Sequence, residues 1–232
     1  MSDSPIATMF DRISPKYDVL NHLLSLNIDK VWRRKTAKIV ACYSPKTILD
    51  LATGTADLAI ALAKRNPQAH IIGTDISEKM LEIGQAKIAK EKLENQIELR
   101  LGDATALPFE DNSFDTVTVA FGVRNFENMK QGLSEIHRVL KPNGQTFILE
   151  FSMPEKFPIK QVYRLYFKHI LPKIGKWVSK DASAYTYLPE SVERFPKPLE
   201  FLRLLSSAGL TESTMRHFGH SIATLYSVTK SK

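Results

Sequence analysis

Four short stretches of this chain carry residue types able to hold a small polar ligand. The first is Asp50-Leu51-Ala52-Thr53-Gly54-Thr55-Ala56-Asp57, directly after an apolar run. Gly54 permits a tight turn and close backbone approach, and Thr55 offers a hydroxyl at a helix start. Asp75 ends a second apolar run, 21 residues after Gly54, where a carboxylate accepts bonds from ribose hydroxyls. Its competing role is to cap the next helix together with Ser77. Asp103 and Ala104 follow a third run; the carboxylate suits an adenine amino group, with Ala104 leaving room for the ring, although Asp is also a common turn residue. The fourth stretch holds Arg124 and Asn125, a permanent cation and an amide beside it. Only one of the three glycines of G-x-G-x-x-G is present, so a pyrophosphate cradle for NAD or FAD is disfavoured. Gly54, Thr55, Asp75 and Asp103, with Asp50 at the strand end, describe a nucleoside lacking pyrophosphate, and S-adenosylmethionine fits. No metal-ligand cluster is expected.

Such residues need a scaffold that brings strand ends together. Segments 47–52, 70–76, 97–103, 113–121 and 145–152 read as strands. Between them 55–66, 78–92 and 129–140 have helical periodicity, with Ser77 as an N-cap and Pro142-Asn143-Gly144 as a stop. The pattern predicts an α/β fold with a doubly wound, mostly parallel, Rossmann-like sheet. After a helix at 198–210, the runs 211–220 and 221–230 suit an antiparallel pair at the sheet edge. Residues 1–45 read as an N-terminal helical extension or lid, 46–232 as the main domain, and 153–197 as an inserted lid and substrate region.

The 232 residues are 43% apolar and 25% charged, ordinary for a globular chain, and the single cysteine, Cys42, suits a reducing cytosol. The start MSDSPIATMF lacks a signal-peptide pattern, and no apolar run reaches spanning length, so a soluble cytoplasmic protein is expected. The net charge of +7 resides in 156–180, which holds seven Lys/Arg and no acid. Confinement of basicity to one segment argues against a nucleic-acid partner. Within it Lys160, Arg164 and Lys168 recur beside an apolar helical stripe. That pattern fits either a peripheral helix on an anionic membrane or a cover packed on the sheet. The oligomeric state is left open, a homodimer being compatible with the sequence.

The sequence resembles class I S-adenosylmethionine-dependent methyltransferases and, more narrowly, the ubiquinone/menaquinone biosynthesis C-methyltransferases of demethylmenaquinone type. YDVLNHLLSLNIDKVW (17–32) is similar to the family's first signature, keeping Tyr17, Asp18, Asn21, Ser25 and Trp32. It departs at Leu20, where Met is usual, and at Asp29, where His is usual. RVLKPNGQTFILEFS (138–152) resembles the second, keeping Arg138, Val139, Lys141, Pro142, Gly144, Glu150 and Ser152. Ala56 stands where a third loop glycine is commoner. The resemblance implies cofactor contacts at Thr55, Asp75, Asp103 and Ala104, and demethylmenaquinol as methyl acceptor. Other phenols, a ubiquinone-precursor benzoquinol, or a nucleoside-binding module without activity are the alternatives. Methylating a ring carbon requires the phenolate of the reduced quinol. Arg124 is the expected phenolate partner, or else a salt bridge in its loop; Asn125 would orient a hydroxyl. Tyr17, Tyr185 and Tyr187 are candidate quinol contacts. His137 reads as a helix-face residue, and Trp32 as packing for the N-terminal helices.

Overall fold

A computed structural model describes residues 5–24, 27–154, 157–158, 160–161, 165 and 183–231. Of these, 16, 18–24, 183–186, 188 and 189 are described by backbone alone. Two helices, α1 (Pro5–Leu24) and α2 (Ile28–Ala41), precede the alternating unit. That unit runs β1 (Thr47–Leu51), α3 (Asp57–Ala63), β2 (His70–Asp75), α4 (Glu78–Glu91), β3 (Ile97–Leu101) and β4 (Phe114–Ala120). A 3₁₀ turn at Val123–Asn125, α5 (Met129–Val139) and β5 (Leu140–Phe151) follow. The chain closes with α6 (Ser183–Arg194), α7 (Pro198–Ser207), β6 (Leu210–Phe218) and β7 (Ala223–Lys230).

The seven strands lie in the order β3-β2-β1-β4-β5-β7-β6. β1 to β5 are parallel; β7 pairs antiparallel with β5, and β6 with β7. The expected edge pair is therefore present, and strand order reverses between β1 and β4. That reversal opens a crevice beyond the strand C-termini, where open α/β sheets take ligands. Alternation along β1 explains the two cores. Ile48 joins Trp32, Val40, Leu62 and Ile71 on the α2/α3 face, while Leu49 and Leu51 join Val117, Leu133, Ile136 and Phe201 on the α5/α7 face.

Two boundaries differ from expectation for local reasons. α3 begins only at Asp57, because Ala56 stands outside it with left-handed backbone (φ 64°). Pro142-Asn143-Gly144 does not stop α5. The helix ends at Val139 and the strand starts at once, with register shifting between Phe114↔Leu140 and Thr116↔Gln145. The three residues are a bulge within β5, and Asn143 supplies its positive φ of 62°.

Candidate functional site

At the strand reversal lies an open cleft of about 750 Å³, lined by the loops after β1, β2, β3 and β4 and by α1. Its floor is the turn after β1, where Ala52, Gly54 and Ala56 all have positive φ. A Cβ on Gly54 would meet no atom within 4 Å, so the backbone there opens directly onto space a ligand can use. Asp75 pins this turn: Oδ2 accepts from Gly54 N (2.8 Å) and Oδ1 from Ser77 N (3.0 Å). Burial raises its pKa, while those N–H groups favour the ionised form and oppose the shift. Ser77 caps α4, its Oγ accepting from Met80 N (3.2 Å). Asp75 therefore serves helix start and loop together, and still lines the cleft. A carboxylate has about four acceptor sites, which leaves capacity for ligand hydroxyls.

Gly102, Asp103 and Ala104 form the neighbouring wall. Asp103 Oδ1 accepts from Thr105 N (2.8 Å), the Asx turn that is the bland alternative, and the residue borders the cleft as well. Asp50 and Thr55 lie elsewhere: they line a smaller neighbouring cavity, which shares Tyr17, Ala52, Gly54 and Ala120 with the cleft. Asp50 accepts from Thr53 Oγ1 (2.7 Å) and Thr118 Oγ1 (2.6 Å). Burial lifts its pKa to about 6 against these bonds and the pull of Arg33. Thr55 Oγ1 accepts from Lys87 Nζ (3.1 Å), which is also paired with Asp57.

The opposite wall comes from Phe121, Asn125 and Phe126, with Ile6, Phe10 and Tyr17 of α1. Tyr187 reaches it indirectly, its hydroxyl donating to Asn125 Oδ1 (2.9 Å). The side chain of Tyr185 is outside the described residues. Arg124, the expected phenolate partner, is not itself among the residues lining the cleft, though its neighbours Gly122 and Asn125 are. Nη1 pairs with Glu150 Oε1 at 2.7 Å and also donates to Phe121 O, and Nε donates to Ser191 Oγ (3.3 Å). The side chain of Glu150 is fully buried and that of Arg124 is 7% exposed. The loop salt bridge is therefore present.

Contacts that build the cleft wall gave no signal in the sequence. Phe121 has φ 60° and stacks on Phe151 (centroids 4.3 Å apart), with Trp32 beyond. Trp32 thus packs on the cleft's aromatic wall rather than on the N-terminal helices alone. Asp11 of α1 accepts from Ser77 Oγ (2.5 Å) across 66 residues, tying α1 to the cap of α4. A Cys, His or Gly motif would have announced itself; these contacts arise only from the fold.

The architecture is that of the S-adenosylmethionine-dependent methyltransferases. A SAM-dependent methyltransferase from Aquifex aeolicus superposes with a TM-score of 0.59 over 80% of this chain and 82% of its own, at 19% identity. Another from Thermotoga maritima gives 0.66 over 97% and 99%, at 17%. Sequence narrows the class. Residues 1–230 match the model of the ubiE/COQ5 methyltransferase family, and the chain belongs to that family. Demethylmenaquinone methyltransferase of Bacteroides fragilis is 45% identical, over 97% of this chain and 92% of its own. The enzyme of that name from Deinococcus radiodurans is 47% identical over 88% and 84%. The ubiquinone/menaquinone biosynthesis C-methyltransferase UbiE of Geobacter sulfurreducens is 43% identical over 95% and 86%.

Proposed function

We propose that this chain transfers the methyl group of S-adenosylmethionine to a ring carbon of demethylmenaquinol, yielding menaquinol. The observation that carries it is one cleft uniting Gly54, Asp75, Asp103 and Ala104 with an aromatic wall and Asn125, in a chain of the ubiE/COQ5 family. These residues suit the cofactor: open space over Gly54, a carboxylate at Asp75 for the ribose, and Asp103 with Ala104 for the adenine. Asp50 and Thr55 serve its amino-acid end. Bound there, it supplies an electrophilic methyl on a sulfonium.

The chain must then present a nucleophilic carbon to that methyl. A quinone carbon is electron-poor, whereas the phenolate of the reduced quinol is not; with a phenol pKa near 10, ionisation at pH 7 costs about 4 kcal/mol. Phe121, Phe126, Phe10 and Tyr17 exclude water and align the ring, and Asn125 orients a quinol hydroxyl while Tyr187 fixes the amide. Arg124, balanced by Glu150, holds the 123–125 turn. The ring carbon would take the cofactor's methyl, releasing S-adenosylhomocysteine, and that carbon's proton would pass to water, restoring aromaticity. α1, as a lid, covers the cofactor.

A polyprenyl quinol lives in the bilayer, which supports a peripheral contact with the membrane from the cytoplasmic side. The basic stripe of 156–180 supports this; most of it falls outside the described residues. No helix among the described residues is long and apolar enough to cross a membrane. The outer face of α2 supports a peripheral contact too, exposing Lys30, Arg34, Lys35 and Lys38 around Ile28 and Val31. Co-sedimentation with anionic liposomes should weaken in a Lys160→Glu/Arg164→Glu/Lys168→Glu variant, and unchanged binding contradicts the contact. The substrate is tested by S-adenosylhomocysteine release with demethylmenaquinol against a demethylated benzoquinol. Faster release with the naphthoquinol is expected, and the reverse order overturns the choice.

A further inference from the structure

Arg33 of α2 is 9% exposed and lines the small cavity beside the Gly54 turn, together with Asp50, Thr55 and Tyr17. Its guanidinium lies 5.0 Å from the centroid of the Phe121 ring, and Nη1 donates to Asp29, itself 2% exposed. Nε and Nη2 make no hydrogen bond to another described residue. An i,i+4 pair on a solvent face costs little desolvation. Here both partners are buried, and pairing alone seldom recovers that cost. A guanidinium has five donors in a fixed fork suited to bidentate capture of a carboxylate. Across the same cavity stands Asp50, near enough for the charge of Arg33 to act on it. A fixed cation and a fixed carboxylate facing one small space match the zwitterionic end of an α-amino acid. Tyr17, Ala52, Gly54 and Ala120 line both this cavity and the cleft, so the two lie side by side, within a short tail's reach of a nucleoside at Asp75 and Asp103.

We propose that Arg33 binds the α-carboxylate of the cofactor's amino-acid tail, with Asp29 positioning the guanidinium and Asp50 facing the ammonium. The assignment rests on the cofactor reading above. It also gives a role to Asp29, where the sequence departs from the family's usual His.

The experiment is calorimetric titration of the full chain with S-adenosylhomocysteine and with 5′-deoxy-5′-methylthioadenosine, which keeps the nucleoside but lacks the carboxylate. In Asp29→Asn/Arg33→Met, which avoids leaving one buried charge alone, the Kd for S-adenosylhomocysteine should rise about 10- to 100-fold. The Kd for methylthioadenosine should stay within about twofold. Unchanged S-adenosylhomocysteine binding, or parallel weakening of both ligands, overturns the assignment. If the double variant does not fold by circular dichroism, Arg33→Lys keeps the charge and loses the fork. It should weaken S-adenosylhomocysteine alone, and equal effects on both ligands again contradict. Wild-type protein that binds both equally refutes the carboxylate anchor and leaves the cofactor reading standing. Wild-type protein that binds neither refutes the cofactor reading itself.

Discussion

Arg124 and Glu150 show how a single residue's role depends on what stands behind it. A lone arginine on a ligand-binding loop reads as a free cation, yet Glu150, 26 residues on, balances it inside the wall. Arg124→Met should leave Glu150 buried and unpaired and cost about 3–5 kcal/mol in urea unfolding. Arg124→Met/Glu150→Leu should recover most of that loss. If the double variant regains stability while turnover stays abolished, Arg124 acts on the substrate after all. Tyr187→Phe deletes the bond to Asn125. It should lower kcat about fivefold, the worth of about 1 kcal/mol, with little change in cofactor Kd; a rise in that Kd instead would place Tyr187 with the cofactor. At this scale the sequence was legible where chemistry needs a recognisable type at a strand end, as at Gly54, Asp75 and Asp103. It was silent on Phe121 and Asp11, whose contacts with Phe151 and Ser77 join residues distant in sequence.

The elements were more legible than their ends. Hydrophobic periodicity marks β1 to β5 and α4, because burial on a two-faced sheet imposes it. Pro142-Asn143-Gly144 misleads because a bulge uses the same residue types as a stop, and only pairing with β4 distinguishes them. That junction is tied by Asp115, which accepts from Lys46 N (2.9 Å), Thr47 N (2.9 Å) and Lys141 Nζ (2.8 Å). Burial pushes the Asp115 pKa up, but these donors outweigh it and hold it at about 2. A carboxylate with a lowered native pKa stabilises the fold above its unfolded value near 4, and that stability is lost as pH falls towards 2. Asp115→Asn should therefore cost about 1–2 kcal/mol at pH 7, allowing for its partial exposure. The gap from wild type should close between pH 4 and 2; a pH-independent gap contradicts the ionic account. Between β4 and the 3₁₀ turn, a Cβ on Gly122 would stand 2.5 Å from Ala52 Cβ. Gly122→Ala should push the two cleft loops apart, costing about 1–3 kcal/mol in urea unfolding together with cofactor affinity. Normal stability with normal affinity would contradict that close approach.

For the whole molecule, the reversal of strand order between β1 and β4 places the cleft, and α1, tied to the cap of α4 by Asp11, lines it. The doubly wound sheet was legible because strands alternating with helices admit few topologies. The central claim is that this cleft methylates the reduced quinol and not the quinone. The most direct test incubates the protein with S-adenosylmethionine and demethylmenaquinone, with and without chemical reduction, and follows the quinone mass chromatographically. The account predicts a product heavier by one methylene only in the reduced sample. The same product from the oxidised quinone, or cofactor turnover with no such product in either sample, would contradict it.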